Sequence, residues 1–373
     1  MYNTRLKPIQ APLNVKAPTQ SHAQLGSLQL IKTLKTGKSC KIKLGRDVVT
    51  QKQFAIKILK SDMASTLAPS LDYEAEIHAG ITQGDHSNLL KQVNYFPNVE
   101  YTKKDGTTKR VYALVSEFAE EGDLYDYLET HGPLSEESSR FYFEQLINAV
   151  EYLHNNGIAH MNLRLENLLL THDLVLKIAD FSFANFVNNN DILLSTSNST
   201  TVFPKALDFS APELVQKQHT NYFINDLFAC GIILFTLVVG YPPFSLASTK
   251  DFHYKLIMNQ QFAAFWKQHE QRRGKAFSKE FKELINSMLA YESTERLTIA
   301  EIKSHPWYLN TKPSFHDIKE KINNRRLLGM EMNTTPKITT PFNKNKPGLG
   351  LIQNPQNQTK PSFAMKGIQL FKS

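Results

Sequence analysis

The chain has 373 residues, 41% of them hydrophobic and 21% charged, which is enough to bury a large core and to form two lobes with flanking segments. Two cysteines, Cys40 and Cys230, exclude a disulfide framework and a cysteine-based metal cluster. The formal net charge of +8 arises at the ends, because residues 1–24 and 303–373 together carry +12 and the middle carries −4. Such flanks could touch acidic partners, nucleic acid or anionic lipid, but a solvated tail is favoured because no aromatic residues interleave with the basic ones.

Neither a signal peptide nor a membrane span is expected. Residues 1–23 lack the apolar core of a signal peptide. The longest apolar run, Cys230–Val239, is about half of the roughly 20 residues that a membrane helix needs, so we interpret it as a buried helix. We therefore expect a soluble, cytoplasmic protein. Residues 1–24 are rich in Pro, Gln, Thr and Ala and are expected to be disordered.

The first third of the chain has the pattern of a small, mostly β lobe. Alternating apolar residues predict five strands, and an Asp105-Gly106 turn joins the last two as a hairpin. One helix is predicted between the third and fourth strands. The predicted strands are Leu28–Leu34, Lys41–Val48, Gln53–Leu59, Asn88–Val99 and Arg110–Phe118, and the helix is Leu71–Ile81.

After Gly122 the pattern becomes helical. Apolar residues recur at helical spacing in Glu136–Asn155, and helices are expected from Asn225 to His305. Asn185–Ser210 is polar and too long for an ordinary connector, so it is either a functional loop or disordered. The composition beyond Asn323 predicts no fixed fold. The other predicted elements are a helix at Asp123–Thr130 and strands at Leu168–Leu170 and Leu176–Ile178.

One short polar loop is the centre of the functional interpretation. Residues His160–Asn167 read His-Met-Asn-Leu-Arg-Leu-Glu-Asn and lie between the predicted helix and the strand Leu168–Leu170. This spacing resembles the catalytic loop of the eukaryotic protein kinase family, H-R-D-L-x-x-x-N. Met161 stands where the family has Arg, and Asn162 stands where it has its catalytic Asp.

Further motifs follow in the family's order. Phe54–Lys57 resembles V-A-I-K, Asp180–Ser182 resembles D-F-G, and Ala211–Glu213 resembles A-P-E. Asp226 and Gly231 match D-x-W-x-x-G, with Phe228 in place of Trp. Arg296 matches a late Arg of the family that is expected to pair with Glu213. Gly240–Phe244 and His305–Trp307 resemble segments that recur in calmodulin-dependent and AMP-activated-like Ser/Thr kinases.

The resemblance extends over residues 25–308 and implies an α+β, two-lobed protein-kinase-like fold. The expected N-lobe is 25–118, the C-lobe 119–308, and the basic tail 309–373 is expected to be largely disordered.

The resemblance also implies an ATP site. Lys57 would hold the α and β phosphates, and Glu76, nineteen positions later, is its expected partner. Of the three glycines in the phosphate-covering loop only Gly37 remains, with Lys35 and Cys40 at the other two positions, which should loosen or reshape the loop. Ser116 takes the gatekeeper position. The other implied nucleotide-binding residues are Ile42, Ala55, Glu117, Ala119, Asp123 and Leu169, although Asp123 is equally well explained as a helix N-cap.

Asn167 and Asp180 match the family's Mg²⁺ ligands. Ser182 replaces the third residue of D-F-G, a glycine, which reduces backbone freedom there. Gly80, four residues after Glu76, falls where the family places a bulky residue, so we expect that helix to be poorly braced.

The catalytic residues implied by the resemblance are Asn162 and Arg164. Arg164 replaces a Lys that steadies the γ-phosphate. Asn162 can orient a hydroxyl but cannot act as a general base near pH 7, a loss of about 10² to 10⁴ in rate. Met161 removes the Arg that would pair with a phosphate on the Ser195–Thr201 cluster.

Three hypotheses remain open. The first is a Mg-ATP-binding pseudokinase that acts as a scaffold or allosteric partner in signalling. The second is a weak but active Ser/Thr kinase that phosphorylates proteins, and the third is a domain that no longer binds nucleotide. In each case we expect a monomer, with a protein substrate or signalling partner and no specific nucleic-acid ligand.

Overall fold

The computed structural model describes residues 22–60, 64–187, 207–218, 220–311, 313–320 and 324. The strands of the first lobe form a closed barrel in the order β1-β2-β3-β4-β6-β5, with every neighbouring pair antiparallel. The barrel strands are β1 Ala23–Leu25, β2 Leu28–Thr36, β3 Cys40–Asp47, β4 Gln53–Leu59, β5 Gln92–Thr102 and β6 Thr108–Glu117.

Alternation of apolar residues produces this barrel, since one face of each strand points into a common core. Ile56 of β4 is fully buried there, and Gly45 of β3 lies against it. A Cβ at Gly45 would come within 2.3 Å of Ile56 Cδ1, so a larger residue here would require the end of the Ile56 side chain to move. The predicted hairpin turn is confirmed: Gly106 has φ +82° and Asp105 accepts a hydrogen bond from the Thr107 amide at 2.9 Å.

The helix α1, Ala64–Thr82, packs on the outer face of the barrel. Leu67, Leu71 and Ala75 lie at helical spacing and contact an apolar patch that includes Cys40 and Leu114. This packing brings the inner side of the helix against β4. It therefore decides which acidic residue of α1 reaches the cleft.

The second lobe is helical, with α3 and α5 at the centre of its core. Its helices are α2 Leu124–His131, α3 Glu136–Asn155, α4 Pro212–Val215, α5 Tyr222–Val239, α6 Phe252–Met258, α7 Phe262–Arg273, α8 Lys279–Met288, α9 Ile299–Ser304 and α10 Pro306–Leu309. Short strands edge the cleft: β7 Gly122–Asp123, β8 Ile158–Ala159, β9 Leu168–Leu170, β10 Leu176–Ile178 and β11 Asn185–Phe186.

Helix α5 is the one helix in the described part of the chain that is long and apolar enough to cross a membrane. Because 89% of its residues are buried within the lobe, these residues are explained as core. Asn221 caps its first turn, and Gly240 ends it in the left-handed conformation at φ +92°. The interpretation of Cys230–Val239 as part of a buried helix is confirmed.

The packing of this lobe continues past the predicted end at Tyr308. Arg140 of α3 stacks on Trp307 and donates hydrogen bonds to the carbonyl oxygens of Trp307 and Thr311. Ile318, in the helical segment 315–320, is 1% exposed and belongs to the same core. The ordered part of the second lobe therefore extends beyond the predicted domain end at Tyr308 and includes residues 313–320.

The predicted elements agree well with these bounds. Helix α3 and strands β9 and β10 match to the residue, whereas the short strands β1, β7, β8 and β11 were not predicted and α1 begins at Ala64 instead of Leu71. Both cysteines are buried and free, as expected. The predictions for residues 1–21, for the Ser195–Thr201 cluster and for the chain beyond residue 324 lie outside the described residues.

Candidate active site

Strand pairing places the predicted nucleotide-binding residues of the first lobe on one face. Ile42 pairs with Lys57, and Lys57 pairs with Leu114 on the other side of β4. Ala55, two residues before Lys57, pairs with Ser116. Since paired residues and residues two apart share a face of a sheet, Ile42, Ala55 and Lys57 face the cleft side together.

The acidic partner of Lys57 is Glu74, and the prediction of Glu76 was wrong. Lys57 Nζ donates to both carboxylate oxygens of Glu74, at 2.7 and 2.8 Å. The Glu74 side chain is 5% exposed, whereas Glu76 lies on the outer face of α1. The reason is periodicity: Glu74 is three residues after Leu71 and lies on the buried stripe, and a shift of two residues turns a helix by about 200°.

The same shift corrects the prediction about Gly80. Four residues after Glu74 is His78, which is buried and stacks on Phe181 with ring centroids 4.8 Å apart. His78 also bonds to the Leu90 carbonyl oxygen at 2.5 Å. Gly80 is exposed on the opposite side of α1. The helix is therefore braced against the second lobe through His78.

Asp180 lies at the meeting point of the two lobes. Its Oδ1 accepts hydrogen bonds from Lys57 Nζ at 3.1 Å and from the Ser182 hydroxyl, and its Oδ2 accepts one from Asn162 Nδ2 at 3.2 Å. Burial would raise the pKa of Asp180, but the charge of Lys57 and the donated hydrogen bonds hold that pKa below its ordinary value. The carboxylate is thus ionised at neutral pH. The neighbouring Lys57 is also charged, because Asp180 and Glu74 outweigh the effect of burial and raise its pKa.

The backbone of the loop His160–Asn167 is held by one carboxylate beneath it. Asp226 of α5 accepts hydrogen bonds from the amides of His160 and Met161, both at 2.8 Å, and from His154 Nε2 at 3.1 Å. Asp226 is 1% exposed. Met161 is thereby kept at φ +62°, a conformation that a methionine rarely adopts.

Asn162 projects from this loop towards Asp180. A carboxylate only accepts hydrogen bonds, so the atom that faces Asp180 is the amide nitrogen of Asn162. The backbone carbonyl oxygen of Asn162 accepts a hydrogen bond from Asn167 Nδ2 at 2.8 Å. Because the nitrogen of the Asn167 side chain is engaged in this bond, its amide oxygen is the atom left to act as a ligand.

Asn167 and Asp180 fit a hard divalent cation. The carboxylate of Asp180 is ionised, and with its nitrogen engaged Asn167 contributes an oxygen, so the donor set contains only oxygen atoms. A backbone hydrogen bond also links the segments that carry Asn167 and Asp180, since the Ala179 amide donates to the Asn167 carbonyl oxygen at 2.9 Å. No group of three or more His, Cys, Asp and Glu side chains able to hold a metal occurs in the part of the chain that the structure describes.

Met161 lies in an apolar cluster where the related Arg would be charged. It is 3% exposed and packs with Ala159, Phe183, Leu214 and Tyr222. The residues that follow the Asp180 triplet are thus held by apolar packing. A cation able to read a phosphate is absent from position 161.

The guanidinium of Arg164 is paired with carboxylates. Its guanidinium bonds to both carboxylate oxygens of Glu166, at 2.5 and 2.9 Å, and reaches Asp208 at 3.5 Å. It also lies over the ring of Phe209. Two negative charges therefore offset its one positive charge, which argues against the predicted role at a γ-phosphate.

The segment joining the lobes brings Glu117, Ala119 and Leu169 together. The Glu117 amide donates to the Lys91 carbonyl oxygen at 2.9 Å, and its carboxylate pairs with Lys177 at 2.9 Å. Ala119 forms a small apolar cluster with Leu90 and Ala179, and Leu169 packs against it. The cluster is contiguous with Asp180 because Ala179 precedes it.

Asp123 caps helix α2, as one of the two interpretations predicted. Its carboxylate accepts a hydrogen bond from the Asp126 amide at 2.8 Å. Burial raises the pKa of Asp123 to about 6, and Lys35 is near enough to oppose this shift. Gly37 forms the turn between β2 and β3, with its amide donating to the Cys40 carbonyl oxygen at 2.9 Å.

Arg296 and Glu213 of the second lobe form the predicted ion pair. Arg296 donates to both carboxylate oxygens of Glu213, at 2.6 and 2.8 Å, and stacks over Phe228. The Ala211 amide donates to Asn225 Oδ1 at 3.0 Å. These contacts fix the end of the segment that starts at Asp180.

A family model described as "Protein kinase domain" matches residues 28–308, which is most of the chain. The chain belongs to the protein kinase family. The resemblance predicted from the motifs is confirmed, and so is the two-lobed α+β kinase fold.

The relatives of this kinase domain include Ser/Thr kinases. It is 30% identical over 289 residues to serine/threonine-protein kinase SIK1 of Rattus norvegicus and of Mus musculus, covering 77% of this chain and 33% of each relative. It is 31% identical over 312 residues to CBL-interacting serine/threonine-protein kinase 9 of Arabidopsis thaliana, covering 82% of this chain and 64% of that protein. The chain thus spans a third of SIK1 and about two thirds of the plant kinase.

Four functional features of this kinase domain were not predicted. They are the partnership of Glu74 with Lys57, the brace at His78, the bridging hydroxyl of Ser182 and the contact of Asp208 with Arg164. The first two follow from the apolar periodicity of α1, which was visible in the sequence. The last two depend on tertiary contacts that no local pattern encodes.

Proposed function

We propose that this kinase domain binds Mg-ATP but transfers phosphate poorly, and that it acts as a pseudokinase in signalling. The observation that carries the proposal is the environment of Asn162. Its amide nitrogen donates to Asp180 at 3.2 Å, in the position where the family has an acidic general base. A neutral amide cannot accept the proton of a substrate hydroxyl near pH 7.

The nucleotide-binding half of the proposal is supported by charged groups that remain in place. Lys57 is charged and is held by Glu74, where the family's lysine meets the phosphates. Asn167 and Asp180 would hold Mg²⁺ through oxygen atoms, and the ion would neutralise phosphate charge when bound. Adenine would lie between Ala55 and Ile42 on one side and Leu169 on the other.

An active Ser/Thr kinase is the second candidate. It is favoured by the Lys57–Glu74 pair and by the buried packing of Phe181 between His78 and His160. Phosphoryl transfer depends mainly on positioning and on charge neutralisation, both of which this site retains. The two candidates differ in rate, so a rate measurement separates them.

The first experiment measures transfer of the γ-phosphate of ATP to a Ser/Thr peptide library by the wild type, Asn162→Asp and Lys57→Met. We expect Asn162→Asp to be faster than the wild type by about 10² to 10⁴, which is the usual contribution of a general base. Lys57→Met should abolish the activity of Asn162→Asp in a double variant. A wild type as fast as Asn162→Asp, with activity lost in Lys57→Met, would show that the chain is an active kinase.

A second experiment tests nucleotide binding itself. A ligand at 100 times its dissociation constant stabilises the folded state by about 2.7 kcal/mol. We expect a thermal shift with Mg-ATP in the wild type and none in Lys57→Met. No shift in the wild type at millimolar Mg-ATP would favour the domain that has lost nucleotide binding.

The remaining features are proposed from the same observations. The kinase domain would comprise residues 25–308, with lobes 25–118 and 119–308, and the segment 313–320 would be an extension of the second lobe. We propose that the protein is a cytoplasmic monomer whose partners are proteins, either substrates or signalling proteins that it scaffolds. The basic ends of the chain would act outside the nucleotide site.

A further inference from the structure

Two departures from the kinase pattern meet at one carboxylate. Asn162, in place of the catalytic Asp, donates to Oδ2 of Asp180, and Ser182, in place of the glycine that follows Phe181, donates to Oδ1. The family's residues at these two positions, Asp and Gly, could not donate these hydrogen bonds. Aspartate would present a second negative charge to Asp180, and glycine has no side chain.

The hydroxyl of Ser182 makes two bonds of opposite direction. It donates to Asp180 Oδ1 and accepts a hydrogen bond from Lys57 Nζ at 3.0 Å. It therefore joins the ammonium of β4 to the carboxylate of the second lobe. Hydrogen bonds to charged groups contribute about twice as much as neutral ones, so both bonds should matter for the local conformation.

The ring of Phe181, which lies between Asp180 and Ser182 in the sequence, is also held in place. Phe181 is 1% exposed and lies between His78, with ring centroids 4.8 Å apart, and His160, at 5.1 Å. Burial lowers the pKa of His78 to about 4, so its ring is neutral and can pack against an apolar surface at pH 7. For Phe181 to leave this position, the backbone on both sides of it must move, and Ser182 opposes that movement.

We propose that Ser182 is a positioning residue which, with Asn162, fastens the Asp180–Phe181 segment to Lys57 through side chains of this chain alone. The segment is then held inward before any ligand arrives. The proposal concerns the conformation of the site, and it rests on the proposed function only where nucleotide binding is the readout.

The experiment compares Ser182→Ala, Ser182→Gly and Ser182→Thr in the full chain. Ala removes only the hydroxyl, Gly restores the family's residue with added backbone freedom, and Thr keeps the hydroxyl. Amide hydrogen exchange of peptides covering 176–184 is measured in EDTA. The reporting amides include Ala179, bonded to the Asn167 carbonyl oxygen, and Ala184, bonded to that of Phe181.

We expect exchange in this segment to become about tenfold faster in Ser182→Ala, at least as fast in Ser182→Gly, and close to wild type in Ser182→Thr. Rescue by Thr separates a hydrogen-bonding role from simple filling of space. Ser304→Ala is the control, because Ser304 is exposed on α9 and its hydroxyl donates to the Glu301 carbonyl oxygen of the same helix. If Ser182→Ala does not fold, Ser182→Gly, which carries the family's residue, supplies the comparison with Thr.

Unchanged exchange in Ser182→Ala and Ser182→Gly would overturn the proposal, as would a Thr variant that exchanges as fast as Ala. The Mg-ATP thermal shift of the wild type is measured in parallel. Faster exchange in Ser182→Ala without any shift in the wild type would leave this proposal standing and refute nucleotide binding. A thermal shift of the wild type together with equal exchange in all variants would refute this proposal and support nucleotide binding.

Discussion

The two ends of the candidate active site differ in how their charges are used. At the Lys57 end, a buried lysine meets Glu74 and Asp180, and both Lys57 and Asp180 are ionised beside the cleft. The other end, which we call the acceptor end, contains Arg164 and Met161. There the positive charge of Arg164 is offset by Glu166 and Asp208, while the Met161 side chain is buried in an apolar cluster.

Under the proposed function, this comparison means that nucleotide binding and phosphoryl transfer have separated in this kinase domain. The groups that would hold nucleotide and metal keep both their chemistry and their contacts. The groups that would accept a proton or read a phosphate keep their place in the backbone but have other side chains. A site of this kind can retain a ligand-dependent conformation without rapid turnover.

The Lys57 end should be the more sensitive to loss of charge. Glu74→Gln should lower the free energy of unfolding by about 3 kcal/mol, because it leaves a buried lysine with one carboxylate instead of two. Denaturant unfolding measures the change. Glu76→Gln is the matched control, since this exposed residue should change stability by less than about 0.5 kcal/mol. An equal loss in both variants would mean that the register of α1 is not the one described.

At the acceptor end, Met161 should contribute stability through packing. Met161→Ala should cost about 2 kcal/mol by opening a cavity among Phe183, Leu214 and Tyr222. Met161→Leu keeps the volume and should cost less than about 1.5 kcal/mol. Thermal or denaturant unfolding of both variants tests the difference. If Met161→Ala were as stable as the wild type, the cluster would not anchor the segment.

The kinase resemblance implies that Asp123 meets the ribose hydroxyls of a bound nucleotide, and its shifted pKa should then make nucleotide binding depend on pH. Its pKa is raised by burial to about 6, so the carboxylate is ionised at pH 7 and mostly protonated at pH 5. The ionised form is the better acceptor for ribose hydroxyls, so adenosine should bind about tenfold more weakly at pH 5 than at pH 7. Adenosine is chosen because it has no phosphates that titrate in this range. Asp123→Asn, which can still cap α2, should remove the pH dependence, and a dependence that persists in this variant would assign it to another group.

Arg164 should have the smallest effect. Because two carboxylates already offset its charge, Arg164→Gln should change the dissociation constant of Mg-ATP by less than about threefold, which is under about 0.7 kcal/mol. Lys57→Gln serves as the comparison and should lose measurable binding. Calorimetric titration gives both values. A loss of tenfold or more in Arg164→Gln would place its guanidinium at the phosphates after all.

The sequence was sufficient for the family, the order of the elements and most positions of the cleft. The motifs are local and ordered, and amphipathic helices such as Glu136–Asn155 have clear periodicity. Spacing from Lys57 favoured Glu76, whereas the apolar face of α1, on which Leu71 lies, selects Glu74. The roles of Ser182 and Arg164 were beyond prediction, since they depend on which side chains meet from distant parts of the chain.

The carboxylate of Asp226 has a consequence for how the loop tolerates substitution. It accepts hydrogen bonds from the backbone amides of His160 and Met161, and these two bonds do not require a particular side chain at position 161 or 162. A substitution at either position removes its own side-chain contacts but leaves this backbone anchor on α5 in place. Under the proposed function, an acidic base at position 162 could therefore be restored by a point mutation without a change of fold.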